Sequence, residues 1–183
     1  MRRAARAALM ALTTLPLTAC GEPPVDLDVP EREPGQVVLD QAEILDQAEI
    51  EDRLRPFDDR DVVALTYETE QASRGEARRA GQLLIEQWGA DVALVAVARP
   101  GDFESTIVDR EDPRDRQRFF GIEPVDTFDV PGSLREEIVE ETVPAIAVDN
   151  DWQQVFLAAA EDLRVGLAER EEREAGPGEP QTE

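Results

Sequence analysis

Apolar positions along this chain change period several times, and each change marks an element. DVVALTY (61–67) is a short apolar, β-branched run of the kind that fills a strand buried on both faces. From Gln71 to Trp88 the spacing turns helical, with Ala77, Ala80, Leu84 and Trp88 on one face and Gly89 placed as a C-cap. DVALVAVA (91–98) returns to the all-apolar strand pattern, so the three stretches predict a βαβ unit with a right-handed crossover. A third strand is expected within Glu104 to Asp109 or Arg118 to Ile122, with DREDPRDRQ as a solvated loop between them. An amphipathic helix is expected from near Ser133, with Glu136 as its capping-box partner, through Ile138 and Val139 towards Val143 and Pro144. Asp149-Asn150-Asp151 reads as a turn, and Trp152 to Leu167 as a last helix with Val155, Phe156, Ala159 and Leu163 inward.

Upstream, the six residues LDQAEI are written twice in tandem, from Leu39 to Ile50. A period of six that stops after two copies gives no coiled coil. The second copy is the better helix start: Asp46 can cap, Glu49 is its capping-box partner, and Leu45 with Ile50 form a hydrophobic staple. Ile50, Leu54 and Phe57 continue the stripe, and Pro56 helps end it. The first copy follows Val37 and Val38 in extended form and buries Leu39, Ile44 and Leu45. On this split Asp46 matters more for stability than Asp40, unless Asp40 holds a metal. Together the elements predict an α/β fold: a three-layer α/β/α sandwich around a short, mostly parallel sheet.

The start of the chain, MRRAARAALMALTTLPLTACG, has a different character. Arg2, Arg3 and Arg6 form a positive n-region, and Ala7 to Leu17 an apolar h-region too short to span a bilayer. Leu17-Thr18-Ala19-Cys20 then resembles the lipobox of bacterial lipoproteins. That resemblance implies removal of residues 1–19 and diacylglycerol modification of Cys20, which becomes the first mature residue. It also implies a membrane contact through the lipid, on the extracytoplasmic face. One acyl chain gives only marginal binding, at ~0.8 kcal/mol per buried CH₂, whereas two or three anchor stably.

Residues 20–35 are rich in Pro and acids and read as an extended, unpacked tether; 169–183 read as a disordered acidic tail. Between them, 36–168 is the size of one domain with one core. Formal net charge is −23, and Arg supplies every basic side chain. Such a surface excludes electrostatic binding to nucleic acid. With no His, and Cys20 the only cysteine, the chain has no Ser-His-Asp triad, no Cys-His dyad, no intramolecular disulfide and none of the commonest zinc ligands. The Ala-rich, Arg-only usage suggests a GC-rich bacterium.

In their order the elements resemble the TPM domain. That family opens with an extended V-x-D-x-A-x-I-L string before a capped helix, matched here by Val38-Leu39-Asp40-Gln41-Ala42-Glu43-Ile44-Leu45. A buried strand (Asp61–Tyr67), a helix ending in Trp88-Gly89 and a second apolar strand (Asp91–Ala98) follow. Gly121, Pro144 and the turn Asp149-Asn150-Asp151-Trp152 match later features. The likeness covers most of 36–168. It departs in lacking a downstream transmembrane helix and in carrying charged residues where the family has glycines. What it implies is phosphatase-like activity, divalent-cation binding through acidic loop residues, or assembly and repair of membrane complexes.

Open α/β sheets hold their ligands beyond the carboxyl ends of the strands. Glu68 and Glu70 after the first long strand and Asp102 after the second belong there. Asp40, Asp149 and Asp151 could join them, and this set of hard oxygen donors would suit Ca²⁺ or Mg²⁺; no other cofactor is expected. The same acids also serve as turn formers and helix caps. Trp88 and Trp152 read as core aromatics, and Arg78-Arg79 and Arg114 to Arg118 as solvated charges. No Gly-rich phosphate loop and no strand-end D-x-D pair accompany them. Two functions follow: a lipid-anchored interaction or assembly module for membrane proteins, or a divalent-metal-dependent phosphatase-like hydrolase. The first leads, because no convergent set of acids with an Arg for a phosphoryl group can be read from the chain.

Overall fold

The computed structural model describes residues 25, 27–55, 57, 59–104, 116–127 and 129–175. The expected signal segment, Cys20 and most of the DREDPRDRQ loop lie outside these. Among the described residues no helix is long and apolar enough to cross a membrane.

Four strands form one mixed sheet in the order β1 (Val38–Asp40), β2 (Val62–Glu68), β3 (Val92–Ala98) and β4 (Arg118–Pro124). The first three run parallel and β4 runs antiparallel to β3, with Val95 opposite Gly121. β2 and β3 are buried almost end to end, as their unbroken apolar runs require. The further strand falls at the second of its two expected places, 118–124; Ser105 to Asp109 lie outside the described residues.

Helix α1 (Gln47–Leu54) links β1 to β2, and α2 (Arg74–Trp88) links β2 to β3. They cover opposite faces. Gly81 of α2 sits directly above Val95 and Glu123, while Phe120 points the other way, edge-on to Phe156 at 5.3 Å. Phe156 belongs to the last helix, which lies beside α1 on that second face. The three layers are therefore α2, the sheet, and α1 with the last helix. Gly89 closes α2 with φ 68°, its N–H donating to Ile85 O at 2.8 Å. Here a residue without Cβ is what the left-handed cap needs.

Asp46 does cap α1, accepting from Glu49 N at 3.3 Å, but the capping box is not closed. Gln153, more than 100 residues away, takes the reciprocal role. Its Oε1 accepts from Asp46 N at 2.9 Å and its Nε2 donates to Glu49 Oε2 at 2.8 Å. The expected helix near Ser133 also differs. It begins at Gly132 after Pro131 with no side-chain cap, so Ser133 lies inside the first turn, where its hydroxyl cannot serve as N-cap. It then runs as α3 (Gly132–Glu137), a π-helical turn (Ile138–Thr142) and α4 (Val143–Ala147). Pro144 supplies the reason. It has no N–H for the carbonyl of Glu140, and the extra residue of the π turn, where Val143 N–H donates to Ile138 O, accommodates its ring.

Both ends of the domain extend past the expected limits. The last helix, α5 (Trp152–Ala175), takes in 169–175, and Arg60 pairs with Glu171 at 3.1 Å. At the other end Leu27 and Val29 are buried in the common core, so 27–35 is not an unpacked tether. Arg32 explains why. Its guanidinium makes a two-pronged pair with Asp61, lies 5.4 Å from the centroid of the Trp88 ring, and donates to Gln36 O at 2.7 Å. Trp88 Nε1 in turn donates to Pro30 O at 3.0 Å.

Candidate functional site at the strand ends and the β4 sheet edge

The carboxyl ends of β1, β2 and β3 and the start of β4 share one end of the sheet, and every expected site acid lies there. Each is held differently. Asp40, at the end of β1, accepts from Ile44 N at 3.2 Å and Leu45 N at 2.9 Å, and from the hydroxyl of Thr66 on β2. It fixes the turn that leads from sheet to α1. Glu68 is exposed, and its Oε1 accepts from Gly101 N at 2.8 Å, tying the β2 and β3 exits together. Asp102 is fully buried; its Oδ2 accepts from Gln117 N at 2.9 Å and faces Arg99 Nε at 3.4 Å. This links the end of β3 to the start of β4. Asp151 caps α5 through Gln154 N at 3.0 Å, and Asp149 is an exposed turn residue, as is Glu70 beyond β2. Among the described residues no three acids gather into a group that could hold a metal ion.

Two cations at this end, Arg116 and Arg118, are not solvated charges as their sequence context suggests. Arg118 opens β4, donates to Ala147 O at 3.0 Å and to Asn150 Oδ1, and its guanidinium lies 5.5 Å from the Trp152 ring centroid. Burial, reinforced by the neighbouring charge of Arg116 and opposed by Asp102, lowers its pKa to about 10. Arg116 donates to the same Asn150 oxygen at 3.3 Å, and Asn150 adopts φ 60°, which Asn tolerates better than most residues. Trp152 is a core aromatic as expected, packing edge-on to Phe103 at 5.0 Å. On α2, Arg79 likewise binds inward, donating to buried Glu76 at 2.6 Å. The sequence signal for Arg118 was its place beside Phe119-Phe120 in a strand, with an Asn-Asp-Trp turn available to receive it.

The sheet's two edges are unlike. β1 is only three residues long, and Gln36 Nε2 donates to the outward carbonyl of Val38 at 3.1 Å, so that edge is blunted. β4 is seven residues long. The bonds Arg99 N to Gln117 O at 3.0 Å and Val125 N to Asp91 O at 2.7 Å fix the phase of its ladder. Phe119, Gly121 and Glu123 therefore bond to β3, and the N–H and C=O groups of Arg118, Phe120 and Ile122 point away from it. Among the described residues no group pairs with the outward groups of Phe120 and Ile122. Pro124, which has no N–H, ends the row. Two hollows of about 260 and 310 Å³ run between this edge and the α3–π–α4 segment, sharing Arg74, Phe120 and Val139 in their walls. An exposed Arg74–Glu140 pair at 3.8 Å spans them.

No family model matches the chain, and no curated protein matches it.

Proposed function

We propose that this chain is a lipid-anchored protein of the bacterial envelope whose α/β domain is an interaction and assembly module for membrane proteins. The lipobox-like Leu17-Thr18-Ala19-Cys20 supports the anchor, and with it the extracytoplasmic location. The observation that carries the module is the β4 edge: outward main-chain groups at Phe120 and Ile122, both buried, below a groove whose walls mix Val139 and Val143 with Arg74, Glu136 and Glu140. An extended segment that displaces the α3–π–α4 segment can add to such an edge through main-chain hydrogen bonds, with the groove selecting its side chains.

The second reading, a Ca²⁺- or Mg²⁺-dependent phosphatase-like hydrolase of TPM type, would draw on Asp40, Glu68, Asp102, Asp149 and Asp151. Four of these carboxylates already accept backbone N–H bonds that shape their own loops, which supports the module over the hydrolase. A bound ion stabilises by RT ln(1 + [L]/Kd), about 2.7 kcal/mol at a hundredfold excess over Kd, so a thermal-shift titration with either cation reports on it directly.

Site-specific photocrosslinking in the host tests the module. A crosslinker in place of exposed Glu136, on the groove wall, should capture a membrane protein, and the yield should fall in the Cys20→Ala background. The same crosslinker at exposed Gln82, on the outside of α2, should capture little. Equal capture from both positions would count against an interface at β4.

A further inference from the structure

We infer that residues 27–36 form a strap that holds the strand-end face of the domain turned towards the bilayer and close to it; this rests on the anchor reading at Cys20. The strap is pinned along its length. Gln41 Nε2, just past the end of β1, donates to Asp28 O at 2.6 Å. Trp88 Nε1 holds Pro30 O, and Arg32 is clamped between Asp61 and the Trp88 ring. A turn with Gly35 at φ 79°, closed by Gln36 N to Glu33 O at 3.0 Å, then reverses the chain into β1. The strap thus runs antiparallel to β1, from the carboxyl end of the strands down to their amino ends. α2 lies over β3 and β4, so on its face the strap, with Leu27 and Val29, lies beside the β1 half of the sheet.

Two consequences follow from where the strap starts. The chain joins the domain by Val25, which packs against the core, beside the face that carries Gln41, Glu68, Gly101 and Asn150. Only residues 21–24 separate Cys20 from that point, which limits the reach to about 18 Å. Were the strap undocked as far as Val37, the reach would be about 60 Å. The docked strap therefore sets both distance and orientation for a domain whose acidity would push it away from anionic headgroups. A membrane-protein partner would meet the strand-end face first, with the β4 edge opening to its side.

The mature chain, residues 20–183, can be coupled through the Cys20 thiol to a maleimide-headgroup lipid in nanodiscs that also carry a Gd³⁺-chelating lipid. Amide signals of Gln41, Glu68, Gly101 and Asn150 should then broaden several-fold more than those of Arg60, Asp91 and Val125 at the opposite end. Uniform or reversed broadening would overturn the inference. Arg32→Ala should erase most of the contrast, and full contrast in a folded Arg32→Ala chain would overturn the role of the strap. A Gly/Ser insertion between Glu22 and Pro23, long enough to double the tether, leaves strap and core intact. It should also reduce the contrast, and an unchanged contrast would count against the reach argument even if Arg32→Ala fails to fold. Because the lipid is attached chemically, failure here would leave the lipidation reading standing. That reading is tested separately by membrane fractionation of Cys20→Ala.

Discussion

Tyr67 Oη donates to Glu76 Oε1 at 2.9 Å, across the boundary between β2 and α2, and both side chains are 2% exposed. Arg79 holds the other carboxylate oxygen at 2.6 Å, and Ser73 caps the helix start through Glu76 N at 3.0 Å. A strand end and a helix start are joined by one buried network. Burial first, and the bond to Glu76 second, raise the Tyr67 pKa far above the ordinary phenol value. A group that keeps its proton more tightly when folded contributes stability that is present below its unfolded pKa of about 10 and lost as pH rises past it. Tyr67 is the only tyrosine, so phenolate absorbance reports on it alone. The folded protein should show no phenolate near pH 11, and unfolding it with urea there should release about nine-tenths of the full signal. Tyr67→Phe should cost about 1–3 kcal/mol at pH 7 by stripping a donor from a buried carboxylate. Phenolate appearing at its ordinary pH in the folded state would refute the network's strength.

The two copies of LDQAEI test a second expectation, and here the structure reverses it. Asp46 is exposed and makes one capping bond, whereas Asp40 is half-buried and accepts from two backbone N–H groups and from Thr66. Asp46→Ala should cost about 1 kcal/mol. Asp40→Ala should cost about 2–3 kcal/mol, because it leaves several part-buried donors without a partner. Urea unfolding of the two variants, without added metal, measures both. A smaller loss at Asp40 would restore the original ranking.

That reversal shows where sequence reasoning stops. β2, α2 and β3 were legible because each has a single period along its whole length, and Gly89 punctuates the helix. The placing of the candidate acids at the carboxyl ends of the strands followed from the fold class. Which of them are occupied did not, since the donors come from loops such as Gly101 and Gln117 whose positions depend on the assembled sheet. The strap was hidden by its Pro and acid content, and what pins it, Asp61 and Trp88, lies far along the chain. Gln153 replacing the capping-box bond of Glu49 is likewise a tertiary override of a sound local rule.

Glu123 offers a test by charge removal. It sits on β4 beneath α2, and burial raises its pKa, with Arg135 and Arg78 pulling the other way. A carboxyl with a raised folded pKa contributes stability that is present below its unfolded value of about 4.3 and lost as pH climbs. The ionised form at pH 7 is therefore a net cost. Glu123→Gln should raise Tm at pH 7, by less than about 1 kcal/mol in stability since the site is half-exposed. The gain should vanish near pH 4. A lower Tm at neutral pH would mean that the two arginines outweigh burial.

Gly81 closes the same contact from above. A Cβ there would stand 2.8 Å from Glu123 Cγ, 2.9 Å from Glu123 Cβ and 3.1 Å from Val95 Cγ2. In an open helix, Gly→Ala gains about 1 kcal/mol. Here the methyl would have to push a strand away from α2, and overpacking of this kind costs about 1–3 kcal/mol. Gly81→Ala should therefore destabilise, and combining it with Glu123→Ala should recover only part of the loss, because the Cβ of residue 123 stays in place. Gly166 in α5 is the contrast. Its added Cβ would stand 2.5 Å and 2.7 Å from the two Cδ atoms of Leu134, a half-buried side chain rather than a strand, so Gly166→Ala should cost less than Gly81→Ala. Thermal unfolding of the four variants decides it. If Gly81→Ala cost no more than Gly166→Ala, α2 would not pack on β4 as closely as described.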